Sequence, residues 1–89
     1  MKLLKREPGK KWERIDVENT LEDVQAAVGG YIESHRIAPD CDLLVDEDGR
    51  AKGLTPQDFL GCRWYGNLVI AGVKRNEWSD APGGMEEWL

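Results

Sequence analysis

The sequence predicts an α+β domain in which an antiparallel sheet of about five strands carries one short helix packed on a face, in the order ββαβββ. Three observations support this fold class. In residues 11–17, Glu13, Ile15 and Val17 alternate with Trp12, Arg14 and Asp16, which is the period of a half-buried strand. Residues 19–28 carry the start signal, apolar spacing and glycine stop of a short helix. Residues 68–71 are apolar on both faces, as is typical of a central strand.

The first two strands are expected in residues 2–7 and 11–17, on either side of Pro8-Gly9. Proline followed by glycine is a strong turn signal, so the two segments are predicted to form an antiparallel hairpin. Leu3 and Leu4 cannot both face one side of a strand. One of them is therefore expected to be covered by the C-terminal part of the chain.

A short helix is expected from Thr20 to Val28. Either Asn19 or Thr20 supplies the N-cap, because each is followed three residues later by an acid. Gly29-Gly30 marks the end of the helix, since glycine readily adopts the left-handed conformation found at helix C-termini. A helix of about two turns is unstable alone, so its apolar stripe must lie on the sheet.

Three further strands are expected at residues 31–36, 42–45 and 68–73, where apolar, aromatic and β-branched residues are dense. Between the last two, Thr55-Pro56-Gln57-Asp58 is interpreted as the start of a second helix. It offers a hydroxyl cap, a proline at the first helical position and an acid two residues later. Gly61 would end this helix after little more than one turn.

The length of 89 residues indicates one domain, with residues 1–77 as a compact unit and 78–89 as a C-terminal extension, either a loop or a short helix. The net charge is −5, with 17 acids against 12 bases, which argues against general nucleic-acid binding. No run approaches the roughly 20 apolar residues of a membrane span, so a cytoplasmic protein without a membrane partner is expected. A homodimer would supplement the thin core of so short a chain.

The sequence predicts no enzyme, no cofactor and no metal site. Cys41 and Cys62 lack the spacing of a zinc site, and His35 is the single histidine. Ser34 adjoins His35, but neighbours on a strand point to opposite faces and cannot form a nucleophile–base pair. The acidic turn Asp46–Gly49 lacks two of the oxygens that a calcium loop needs, which favours a plain surface turn. No catalytic residue is assigned.

Four tryptophans exceed what one thin core needs, and exposed aromatic residues mark contact surfaces. A nucleotide-like ligand would require an aromatic ring for its base and a guanidinium for its phosphate. The candidate residues for such a ligand site are Trp64, Tyr65, Arg36, Arg63 and Tyr31. The alternative is a protein interface formed by acidic and aromatic residues, with the candidates Asp46, Asp48, Trp78 and Trp88.

Several stretches of the chain carry a resemblance to a known family. The two most specific are residues 29–33 (GGYIE) and 66–72 (GNLVIAG). The others are residues 1–10, 16–22, 43–49 and 53–54. Together they resemble domain of unknown function 3846, a family of small proteins of phages, plasmids and Gram-positive bacterial mobile elements. The resemblance covers about residues 1–77.

The resemblance implies a setting and no established activity or catalytic residue. One departure is visible: family members often carry an asparagine shortly after the Gly-Leu pair, where this chain has Thr55-Pro56-Gln57. A phage setting implies a stoichiometric binder that acts in the host cytoplasm. The expected function is therefore a small non-enzymatic protein that counters a defence system by sequestering a nucleotide-derived signalling molecule. The alternatives are an acidic inhibitor or regulator of a host protein, and an accessory or assembly factor without a ligand.

Overall fold

A computed structural model describes all 89 residues and confirms the α+β class. It contains one main antiparallel sheet, a small two-stranded sheet and one α-helix. The elements are β1 (Lys2–Arg6), β2 (Glu13–Asp16), α1 (Leu21–Val28), β3 (Ile32–Ala38), β4 (Cys41–Asp46), β5 (Pro56–Phe59), β6 (Cys62–Tyr65), β7 (Leu68–Lys74), β8 (Glu77–Ser79) and a 3₁₀ turn (Met85–Glu87). The five strands expected from the sequence are present, and three short ones are added to them.

Strand β7 is the centre of the main sheet, whose order is β2-β1-β7-β4-β3. Its first half pairs with β1 and its second half with β8, so these two strands share one edge of β7. Lys2 links them, because its N–H donates to the Asp80 carboxylate and its carbonyl accepts from the Ala81 N–H, both at 2.8 Å. The predicted boundary after residue 77 falls at the start of β8, and Ala81 lies buried in the core.

Each face of the main sheet carries its own apolar cluster. On the face that we call the helix face, α1 packs Val24, Ala27 and Val28 against a cluster that contains Leu3. On the opposite face, which we call the hairpin face, Leu4 packs with Ala81 and with side chains of the β5–β6 hairpin and the C-terminal turn. The expectation that the C-terminal part covers one of the two leucines is confirmed.

Helix α1 begins and ends where its local signals predict. The Thr20 hydroxyl accepts a hydrogen bond from the Asp23 N–H at 3.2 Å, so Thr20 is the N-cap. Gly29 has φ +103°, and its N–H donates to the Gln25 carbonyl at 2.7 Å. Gly29, and not Gly30, is therefore the left-handed residue that ends the helix.

The predicted second helix is wrong, because residues 56–59 form strand β5 of a hairpin with β6. The connecting residues Leu60 and Gly61 both have positive φ, +52° and +73°, as a two-residue hairpin turn requires. The side chain of Gln57 holds the hairpin against the main sheet. Its amide donates to the carbonyls of Arg6 and Gly66, and its oxygen accepts from the Arg6 guanidinium at 2.6 Å. These distant contacts outweigh the local helix-start signal.

Candidate functional site

The junction between α1 and β3 is built over an ion pair whose carboxylate is buried. The Asp46 carboxylate, at the end of β4, has no exposed surface. Its Oδ2 lies 2.6 Å from Nζ of Lys52, and its Oδ1 accepts the Asp48 N–H at 2.9 Å. The same ammonium donates to the Gly29 carbonyl at 3.4 Å. Asp46 therefore stabilises the acidic turn internally through Asp48, and Lys52 connects the turn to the end of the helix.

The charge of Asp46 is stabilised in spite of its burial. Burial alone raises the pKa of this carboxyl, because the ionised form loses its hydration. The hydrogen bond from Lys52, the Asp48 amide and the Lys52 charge act in the opposite direction and hold the pKa of Asp46 below its ordinary value. Asp46 is therefore ionised at neutral pH, where it holds the turn and presents no charge to solvent.

Gly30 passes directly over this ion pair. A Cβ at Gly30 would lie 2.7 Å from both the Asp46 Oδ2 and the Lys52 Nζ. At Gly29, by contrast, a Cβ would approach only the Asn67 Nδ2, at 3.9 Å. The two adjacent glycines therefore meet separate requirements: Gly29 allows the left-handed turn, and Gly30 allows the close approach.

An open cleft of about 510 Å³ lies beside the junction, and we call it the junction cleft. Its lining comes from the helix, the following loop and the acidic turn. The lining residues are Glu22, Gln25, Ala26, Gly29, Gly30, Tyr31, Asp48 and Lys52. The Tyr31 residue is 68% exposed.

The junction cleft is electrostatically negative. The carboxylates of Glu22 and Asp48 take part in no ion pair, whereas the Lys52 ammonium is matched by Asp46. The C-terminal carbonyls of α1 add the negative end of the helix dipole. An exposed phenol ring beside free carboxylates suits a cation such as an ammonium or guanidinium group.

The aromatic candidates for the nucleotide site lie in different places. Trp64 packs on the hairpin face, where its Nε1 donates to the Phe59 carbonyl at 2.9 Å and its ring meets His35 edge-on at 4.9 Å. Tyr65 is half-buried and, as the next residue of β6, points to the other side of the hairpin. Tyr31 alone lines the junction cleft.

Both candidate arginines already have acidic partners. The Arg36 Nε lies 2.6 Å from the Asp42 Oδ1 on the helix face, opposite to the face that carries Trp64. The Arg63 Nε lies 3.1 Å from the Asp58 Oδ1, across the β5–β6 hairpin. The structure therefore does not bring a free guanidinium together with the exposed ring of the junction cleft.

The four candidate residues for a protein interface also lie at different places and differ in exposure. Asp48 is exposed at the junction cleft, whereas the Asp46 side chain is fully buried beneath it. Trp78 is half-buried against the core of the helix face. Trp88, in the C-terminal segment, is 89% exposed. Asp48 and Trp88 are therefore the two that a partner can reach readily.

Sequence reasoning did not single out Lys52 or Glu22. Lys52 lies in an irregular segment six residues after Asp46, and no periodicity marks it. The available signal was Asp46 itself, because an acid at the end of an apolar strand requires a partner when it is buried. Glu22 reaches the cleft only because α1 packs beside the acidic turn.

The fold and the junction cleft define a small antiparallel α+β domain with an acidic surface cleft. The chain belongs to the family described as Domain of unknown function (DUF3846), whose model matches residues 1–88. The resemblance inferred from the motifs is confirmed, and the match extends beyond residue 77. No curated protein and no solved structure matches the chain. None of its helices has the length and apolar character needed to cross a membrane.

Proposed function

We propose that this protein is a non-enzymatic binding protein whose junction cleft accepts a basic side chain of a protein partner. The observation that supports this function is that the exposed Tyr31 and the unpaired acids Glu22 and Asp48 line the same cleft. A lysine or arginine from the partner would place its cation over the ring and between the carboxylates. The net charge of −5 favours approach by a basic surface.

The family resemblance implies a phage-type setting, which makes a host protein the expected partner. Inhibition or regulation of a defence protein remains part of this proposal. While the cleft holds a basic segment of the host protein, that segment would be unable to bind its normal partners. Binding of this kind requires no chemistry from the cleft residues.

Sequestration of a nucleotide-derived signal is the second candidate function, and the exposed ring of Tyr31 favours it as a surface on which a base can stack. A phosphate in the junction cleft would, however, meet carboxylates and the negative end of the α1 dipole. The nearest cation, Lys52, is matched by Asp46. We therefore place this function second.

The test measures binding of a fluorescent hexa-arginine peptide by anisotropy at low and at physiological salt. We expect Asp48→Asn, Glu22→Gln and Tyr31→Ala each to weaken binding about two- to fivefold, since each removes one exposed electrostatic contact. The matched control is Glu87→Gln, which removes one charge at an exposed position outside the cleft. Equal losses in Glu87→Gln and Asp48→Asn would show that only net charge matters, which would refute the proposal.

The second candidate is tested on the same variants with a cyclic dinucleotide as the probe and with mass spectrometry of small molecules released on denaturation. Retention of a nucleotide that Tyr31→Ala abolishes would replace the first proposal with sequestration. Loss of retention in Trp64→Ala alone would move the ligand site to the hairpin face. Capture of a basic peptide with no retained nucleotide supports the protein-binding function.

A further inference from the structure

Strand β3 is an edge strand of the main sheet and has an unpaired outer side. The Tyr31 carbonyl accepts the Glu47 N–H at 2.9 Å, so the backbone of Tyr31 faces β4. In an antiparallel pair, every second residue repeats this orientation. The residues between them turn their backbone N–H and C=O groups outward, and these are Ile32, Ser34 and Arg36.

This edge is regular over the length needed for pairing. Natural edge strands are often protected by charged side chains, proline, a bulge or a covering segment. Residues 32–36 carry the charged Glu33 and Arg36 but no proline, and the register shift in β3 occurs only after Arg36. The other edge, β2, has only four residues. The β3 edge is therefore the better surface for adding a strand.

We propose that two copies of this chain form a two-fold symmetric dimer in which β3 pairs antiparallel with β3, with Ser34 opposite Ser34. Outward backbone groups lie on even-numbered residues, so only registers that place even residues opposite even residues form hydrogen bonds. With Ser34 on the axis, Ile32 of each copy lies opposite Arg36 of the second copy. All three outward residues of each strand then find a partner.

The Glu33 and His35 side chains on the hairpin face select this register from its neighbours. A shift that centres the pair on Glu33 places two glutamates directly opposite each other, and a shift to His35 places two histidines opposite each other. The register centred on Ser34 instead places Glu33 of each copy opposite His35 of the other. Two glutamates directly opposite each other repel, whereas a carboxylate opposite an imidazole forms a hydrogen-bonded cross-strand pair.

The two side chains are available for this contact. The Glu33 Oε2 and His35 Nε2 lie 2.8 Å apart within one chain, with side-chain exposures of 52% and 40%. The dimer extends this pair into a row of alternating glutamate and histidine side chains across the axis. Both copies use the same edge, so the assembly closes at two subunits and does not grow into a fibre.

In this register Tyr31 falls opposite Ile37 of the second copy, one position beyond the Ile32–Arg36 pair, so each junction cleft borders the dimer contact. Tyr31 lies three positions before Ser34, so the two Tyr31 positions of the dimer lie about 20 Å apart at a rise of roughly 3.3 Å per residue. The dimer thus presents two acidic clefts to one partner or to two. Its existence does not depend on what the clefts bind.

The test is sedimentation equilibrium of the full chain from about 1 to 500 µM, in which we expect a reversible dimer. Ser34→Pro removes an outward N–H and leaves the bonds to β4 in place, so it should abolish the dimer with the circular dichroism unchanged. The control is Ser34→Ala, which keeps the backbone group and should remain dimeric. A chain that is monomeric throughout, or a dimer that survives in a folded Ser34→Pro variant, would refute the proposal.

The register is tested by exchanging charges. Glu33→Lys removes the carboxylate that accepts a hydrogen bond from His35 of the second copy and should weaken the dimer about tenfold. Adding His35→Glu to the same chain places opposite charges across the axis and should recover most of the affinity. If the double variant remains as weak as the single one, the pairing is not centred on Ser34.

Discussion

Replacing Gly29 and Gly30 one at a time with alanine distinguishes their two roles. At Gly29 the added methyl group meets only the Asn67 amide at 3.9 Å. The cost is that of a left-handed backbone for a residue with a side chain, about 1–2 kcal/mol. At Gly30 the methyl group would lie 2.7 Å from both atoms of the buried ion pair. It must therefore displace at least one of them.

Both groups must shift, because the methyl group would lie 2.7 Å from each and 3.0 Å from the Asp46 Cγ. The Lys52 ammonium moves further, because its side chain is flexible and 43% exposed. Once it moves, the buried Asp46 carboxylate loses its ionic partner and keeps the Asp48 amide. Breaking a fully buried pair costs about 3–5 kcal/mol. The exposure of Lys52 screens this pair, and Asp46 keeps one hydrogen bond, so the cost lies at or below the lower end, about 3 kcal/mol. Gly30→Ala should thus cost about 1–2 kcal/mol more than Gly29→Ala. This difference corresponds to a gap of roughly 5–15 °C in Tm for a domain of this size.

The assay is urea denaturation followed by tryptophan fluorescence at pH 7, with both alanine variants also made in a Lys52→Met background. In that background Asp46 has already lost its partner, so Gly30→Ala should cost at least about 1 kcal/mol less than it does alone. Gly29→Ala should remain nearly additive. Equal losses for the two glycines, or full additivity of Gly30→Ala with Lys52→Met, would refute the close-approach role of Gly30.

Three further outcomes are expected. Leu60→Asn should stabilise the protein by about 1 kcal/mol in a thermal melt, because Leu60 is 60% exposed and has φ +52°, which asparagine tolerates better; a lower Tm would contradict this. Hydrogen bonding to Arg14 lowers the pKa of Glu86 to about 2, below its ordinary 4.5. Because the pKa of Glu86 is lower in the folded than in the unfolded state, the pair stabilises the fold fully above about pH 4.5, and this stabilisation is lost towards pH 2. Arg14→Met should therefore flatten the dependence of the free energy of unfolding on pH between about 4.5 and 2. Trp64→Phe should cost about 1 kcal/mol in urea denaturation by removing the Nε1 bond to the Phe59 carbonyl, and an unchanged stability would show that bond to be neutral.

The helix and the main strands could be predicted because their signals are local. Thr20 and Gly29 cap α1 through groups at most four residues away, and the apolar run at the start of β7 matches a strand buried on both faces. Strand β5 could not be predicted, because Thr55-Pro56 satisfies the rules for a helix start. The contacts of Gln57 that select a strand come from Arg6, about fifty residues earlier.

The candidate site was predictable only in part, for the same reason. Tyr31 and Asp48 are identifiable from the sequence as an aromatic residue after a glycine pair and an acid in a turn. That Asp46 is buried depends on the approach of Gly30, and that Glu22 shares a cleft with Tyr31 depends on how α1 packs. Both arrangements arise from tertiary packing, which no residue spacing in the chain encodes.

The central position of β7 determines when the chain can close its fold. Residues 1–67 contain three hairpins, of which β1–β2 and β3–β4 belong to the main sheet. Within that sheet these two hairpins are joined only by β7, which lies between them. During synthesis the inner edges of β1 and β4 therefore stay unpaired until the last quarter of the sequence arrives. Such edges are open to pairing with other chains. We expect folding to be completed in one late step, when β7 inserts and joins the two halves.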